Sequence, residues 1–133
     1  MNPDKTPLIR ALRHNALFSA VSALLLFAAA GWIATQLGLG TTLPVYATAV
    51  VLVLFALQLA NIVRTGVIRS WEIAGIVGGD LAWVVASVVL VAIFFDSLTA
   101  TGLVLVDLVA MAVLVFAIRQ YRGLRVFQHG VRA

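Results

Sequence analysis

Four apolar runs constrain this chain more than any other feature. They extend from Ala16 to Leu37, Leu43 to Val63, Ile73 to Phe95 and roughly Leu98 to Ile118, and short polar or turn-forming breaks separate them. A helix rises about 1.5 Å per residue, so each run is long enough to cross a hydrocarbon core of about 30 Å. Lipid offers the backbone no hydrogen-bonding partner, and a helix satisfies its N–H and C=O groups within a single segment. The sequence therefore predicts an all-α membrane protein, a four-transmembrane-helix antiparallel bundle. Composition points the same way: 63% of the 133 residues are hydrophobic and 11% charged, against about 45–50% apolar and 25% charged residues in soluble domains. The expected organisation is an N-terminal segment over residues 1–15, a transmembrane domain over 16–118 and a basic tail over 119–133.

Basic residues give the orientation, because cytoplasmic segments next to membrane spans are enriched in Lys and Arg. Lys5, Arg10 and Arg13 precede the first run, Arg64 and Arg69 lie between the second and third, and Arg119, Arg122, Arg125 and Arg132 follow the fourth. All nine fall on one side, while the opposite breaks carry only Asp96. Both termini are expected in the cytoplasm, and an inverted dual-topology assembly is disfavoured. Trp32 and Tyr46 fall near the outer ends of their runs and Trp71 and Tyr121 near the inner ends, as aromatic belts require. The apolar stretch after the basic N-terminus exceeds the 7 to 15 residues of a signal-peptide core, so it is expected to stay as the first span. Thr6-Pro7 looks like a helix N-cap followed by proline at the first helical position.

The net charge of +4 does not point to nucleic acid, since the basic residues sit beside apolar runs instead of forming one face. There is no cysteine, which excludes thiol redox chemistry and thiolate metal sites. His14 and His129 are single and lack an i+4 His or Glu, so no metal is expected. No nucleophile–base pair and no glycine-rich phosphate loop is present, and neither an enzymatic reaction nor a cofactor is expected.

What chemistry the chain has lies inside the spans, where ionisable residues are rare and usually face the protein interior. Asp80 lies eight residues beyond Glu72, roughly 12 Å along the axis, and Asp107 lies twelve residues from Arg119, roughly 18 Å in. Asp80, Trp83 and Ser87 share one helix face. Gly75, Gly79, Ala82 and Ala86 form a neighbouring face of small residues and are expected to be a close-packing seam. Asp107 falls in a 3,4-spaced stripe with Ala100, Leu103, Ala110, Leu114 and Ala117, so it should not face lipid. Gln58, Asn61 and Thr65 share a face of the second run, and Asn15, Ser19 and Ser22 a face of the first. Measured from the basic ends, Ser22, Gln58 and Asp80 reach similar depths, with Asn61 nearer the surface and Asp107 deeper. The expected site is a polar cavity formed by Asp80, Asp107, Gln58, Asn61, Ser22 and Trp83.

Two functions fit that pattern. In one, an Asp in low dielectric exchanges a proton or holds a cationic ligand, so that the protein binds or passes a small solute, proton or lipophilic ligand. In the other, the polar groups only hydrogen-bond helices together, each pair contributing about 0.6 kcal/mol, and the protein is a structural or accessory subunit. A homo-oligomer or a membrane partner would then cover the small-residue face. Arg119, Arg122 and Arg125 of the tail are expected to contact anionic lipid headgroups, at about 1 kcal/mol for each residue near the surface.

The start Arg10-Ala-Leu-Arg13 with Asn15-Ala-Leu-Phe-Ser-Ala20, the string Gly79-Asp-Leu-Ala-Trp-Val-Val-Ala-Ser87 and the closing Tyr121-Arg-Gly-Leu-Arg125 resemble small bacterial four-helix membrane proteins. The resemblance implies a multi-pass protein of the bacterial inner (plasma) membrane and implies no activity.

Overall fold

The computed structural model describes residues 4–132. Residues 1–3 of the expected N-terminal segment and residue 133 of the expected tail lie outside the described residues. Five α-helices follow one another: α1 (Thr6–Ala28), α2 (Ala30–Gln36), α3 (Leu43–Thr65), α4 (Ser70–Phe94) and α5 (Ala100–Arg132), with one 3-10 turn (Phe95–Ser97) before α5. There is no strand among the described residues. Four of the helices, α1, α3, α4 extended by the turn, and α5, are long and apolar enough to cross a membrane. At most 28% of the most apolar window of any of them is buried within the protein. Their outward faces are therefore apolar, as contact with lipid requires.

Local chemistry sets the helix ends. Helix α1 starts one residue earlier than the Thr6 cap expected: Thr6 is its first residue, and the Asp4 carboxylate accepts a hydrogen bond from the Thr6 N–H at 2.9 Å. That donor is one of the orphans of a helix start. The Asp4 carboxyl is held below the usual carboxylate range by this bond. Pro44 occupies the first turn of α3, where its missing N–H costs nothing. Gly66 ends α3 in the left-handed conformation (φ 64°), its N–H reaching back to the Ile62 carbonyl at 2.9 Å. The Lys5 ammonium donates to the Gly66 carbonyl at 3.3 Å, tying the start of α1 to the end of α3.

Two departures from the sequence reading matter for the site. The first apolar run is not one helix, since Ala29 (φ −119°, ψ 24°) interrupts it between α1 and α2. The basic tail is not separate either: α5 runs unbroken through Arg119 to Arg132, about 50 Å in all.

Helix α1 packs against α3 and α5, and α4 packs against α5. The largest buried cluster joins Leu8 and Leu12 of α1, Leu59 and Ile62 of α3, Ile73, Ile76 and Val77 of α4, and Ala117 and Leu124 of α5. All of these lie in the half of each helix nearest its basic end. The fully buried residues of α4 stop at Asp80. A smaller cluster of Ala30, Ala34 and Val45 fixes α2 on α3.

Close approach of helices depends on α5. A Cβ added to Gly123 would stand 2.8 Å from the Leu8 Cα, and one added to Gly102 would collide with the Gln36 carbonyl. At the end remote from the basic residues Thr99 caps α5 by accepting from the Gly102 N–H at 3.0 Å, and its hydroxyl donates to the Gln36 side-chain oxygen at 2.6 Å. The Thr99 N–H donates to the Gln36 carbonyl at 3.1 Å, and Gly38 (φ 67°) lies against the Ser97 backbone. The α2–α3 and α4–α5 connections are thus held together by main-chain contacts.

The small-residue seam expected on α4 is not used inside the protein. Gly75, Gly79, Ala82 and Ala86 are exposed, and a Cβ on Gly75 or Gly79 would meet nothing within 4 Å. The geometry of the helix explains this. Ile73, Ile76, Val77 and Asp80 turn one face inward, and at about 100° per residue the glycine face points away from it.

Candidate functional site

Asp80 is the one buried ionisable side chain among the described residues, at 5% exposure, and two neutral amides hold it. Asn15 Nδ2 of α1 and Gln120 Nε2 of α5 each donate to the same carboxylate oxygen, Oδ2, at 2.9 Å. Asn15 and Gln120 are themselves 2% and 0% exposed. The Ser19 hydroxyl donates to Asn15 Oδ1 at 3.3 Å, one turn along α1. Three helices therefore meet at one oxygen atom.

The sequence builds this site from three 3,4-spaced stripes. Leu8, Leu12, Asn15 and Ser19 are the buried face of α1, and Ile73, Ile76, Val77 and Asp80 that of α4. On α5 the stripe runs Val113, Ala117, Gln120, Leu124. Each polar residue occupies a position that packing periodicity reserves for the interior, so its polar atoms must find partners there or remain unsatisfied. Most do. Gln120 Oε1 and Trp83 Nε1 are buried without a partner among the described residues, one an acceptor beside Asp80, the other a donor one turn along α4 from it.

The carboxylate is eight residues from Glu72 along its own helix, yet Asn15 is only two residues from Arg13 and Gln120 one from Arg119. Asp80 is thus level with the basic belt on two of the helices that surround it. The helices are staggered, and the site lies at the basic margin of the apolar region.

The expected partners of Asp80 are elsewhere. Gln58 and Asn61 are exposed on α3, and Ser22 is half-buried on α1 without a side-chain hydrogen bond to the site. Asp107, expected in a packing seam, is exposed on α5. It is thirteen residues from Gln120, about 20 Å along the helix, so the two carboxylates do not share a cavity. Trp83 and Ser87 do lie on the inward side of α4, half-buried, with the Ser87 hydroxyl donating to the Trp83 carbonyl at 2.9 Å.

Gln120 was hidden because it follows the first tail arginine, where the apolar run stops. Continuing the stripe Ala110, Leu114, Ala117 by three residues lands on it. Asn15 belongs to the polar face recognised on the first run, but its position beside Arg13 makes it look interfacial.

Of the tail arginines, Arg119 and Arg122 line an open depression with Arg10 and Pro7 of α1. Arg125 instead lies over the Tyr121 ring, 5.9 Å from its centroid. No protein-family model matches the chain, and neither the curated proteins nor the solved structures include a significant match to it.

Proposed function

We propose that this chain is a non-enzymatic multi-pass membrane protein, an antiparallel four-helix bundle with cytoplasmic termini, that takes up a proton or a small cationic solute at Asp80. The observation that carries this reading is a buried carboxylate whose hydrogen bonds come only from neutral amides. Two amides satisfy lone pairs, but they do not neutralise a charge, and an uncompensated charge away from water is costly. A proton or a cation supplies the missing compensation. The unpartnered Gln120 Oε1, on the amide that donates to Asp80, offers an acceptor to an occupant next to the carboxylate. With the basic belt on the cytoplasmic side, exchange would take place from the cytoplasm.

Infrared difference spectroscopy on the protein in liposomes, across a step in pH, tests this directly. The expected signal is a carboxyl C=O band that responds to pH and vanishes in Asp80→Asn. A flux assay with a pH-sensitive dye inside the vesicles should lose its signal in the same variant. Absence of any Asp80 band, with Asp80→Asn indistinguishable from the parent, would end the proposal.

A second reading has its own observation. The ridge of Gly75, Gly79, Ala82 and Ala86 is exposed, and such a surface allows another helix to approach closely in lipid. Under this reading the chain is a structural or accessory subunit, and the Asp80 network is interhelical glue. Cross-linking through a cysteine at Gly79 separates the two: capture of a second copy or a membrane partner supports the subunit, and monomeric protein does not.

A further inference from the structure

The basic end of the molecule holds a feature that the Asp80 site does not use. Between α1 and α5 is an open depression of about 250 Å³, lined by Pro7 and Arg10 of α1 and by Arg119, Arg122, Gly123 and Val126 of α5. Half of those residues are arginines and none is acidic. Arg119 and Arg122 are i and i+3 on one helix face, and Arg10 belongs to the facing helix. Gly123 brings the two helices together, its α-carbon so near Leu8 that a Cβ would stand 2.8 Å from the Leu8 Cα. The three arginines therefore border one depression, at the place where Gly123 lets α1 and α5 approach each other.

Three guanidinium groups in one depression repel one another unless an anion lies between them. Guanidinium forks match the oxygens of a phosphate better than any other common anion except a carboxylate. We propose that Arg10, Arg119 and Arg122 form a binding site for the phosphate of an anionic phospholipid. The lipid source follows from position. The depression begins where the fourth apolar run ends at Ile118, and Pro7 and Val126 give it apolar walls against which the glycerol and first methylenes can pack. This is not a diffuse attraction of the whole tail. Arg125 is committed to the Tyr121 ring and does not line the depression, so the site selects two of the tail arginines and recruits Arg10 from the other end of the chain.

Native mass spectrometry of the purified full chain in detergent, titrated with phosphatidylglycerol or with phosphatidylcholine, tests the site. The parent should retain phosphatidylglycerol at least about ten-fold more tightly than phosphatidylcholine. R10Q/R122Q should weaken phosphatidylglycerol binding by about ten-fold or more. R64Q/R69Q, which removes the same charge outside both the depression and the tail, should weaken binding several-fold less than R10Q/R122Q does. Equal losses in the two double variants, or no preference between the lipids, would overturn the proposal. Displacement of the lipid by excess inorganic phosphate would overturn its assignment to a lipid. Should R10Q/R122Q fail to fold, R10K/R122K keeps the charge but loses the fork. It is expected to bind several-fold more weakly, and parent-like affinity would count against the site.

Discussion

Gly123 and Leu8 are in backbone contact across the α1–α5 interface, close enough that a Cβ on Gly123 would stand 2.8 Å from the Leu8 Cα. Backbone cannot yield as the tip of a side chain can. Gly123→Leu is therefore expected to force the helices apart and destabilise the protein by about 1–3 kcal/mol or more. Gly79→Leu, on the exposed face of α4, should leave the monomer unchanged. Thermal unfolding of both variants in detergent checks the pair, and a larger loss for Gly79→Leu would contradict this packing.

Asp80→Leu is expected to cost about 1–3 kcal/mol for each buried amide it strands, Asn15 and Gln120. Asp80→Asn keeps an acceptor of the same size and should be much milder. The triple change to leucine at positions 15, 80 and 120 removes donors and acceptor together, so it should be more stable than Asp80→Leu alone. Denaturation midpoints of the three proteins give the order, and a triple variant weaker than the single would exclude the stranded-donor explanation.

At the outer end, Thr99→Ala removes the cap on Gly102 and the hydrogen bond to Gln36. Loss of a threonine cap typically costs about 1 kcal/mol. Hydrogen exchange at the first turn of α5 should accelerate in this variant, while Thr101→Ala, exposed on the same turn, should leave it unchanged.

Orientation can be read with a membrane-impermeant thiol reagent, because the chain has no cysteine of its own. A cysteine at Gly40 or at Ser97, both exposed in the outer loops, should react from outside intact cells. One at Arg69 should react only after the membrane is opened. The reverse pattern would invert the topology.

Asp4 gives a pH dependence with a definite sign. Its carboxyl is held below the usual range by the Thr6 N–H, so its support of the first turn of α1 is fully present above the ordinary carboxylate pKa. That support disappears as pH falls through the lowered value. The Thr6 amide resonance, followed by NMR in micelles, should titrate with a midpoint below that of an unstructured Asp, and Asp4→Ala should abolish the change.

Hydropathy alone locates the four long helices, because each must supply an uninterrupted apolar length whatever its neighbours. Asp80 is legible as an inward residue as well, because an ionisable group within a span faces the protein interior. The partners are a different matter. Placing Gln58 and Ser22 beside Asp80 assumes that depth counted from each basic end refers to one common plane. The helices are staggered, and Gln120 comes level with Asp80 one residue from the arginine that ends the apolar run. The glycine ridge on α4 misleads for a related reason. Small residues permit close approach, but only tertiary placement decides which helix accepts it, and here the contact is made by Gly102 and Gly123 of α5.

The unbroken length of α5 makes it a mechanical part. It begins beside Gln36, carries Gln120 at its twenty-first residue and continues to Arg132, so one element carries contacts at both ends of the bundle. Turning it by the angle between successive residues, about 100°, would swing the Gln120 amide off Asp80 Oδ2 and also drive a side chain into the Leu8 backbone where Gly123 now lies, so the glycine acts as a detent that keeps the amide on the carboxylate.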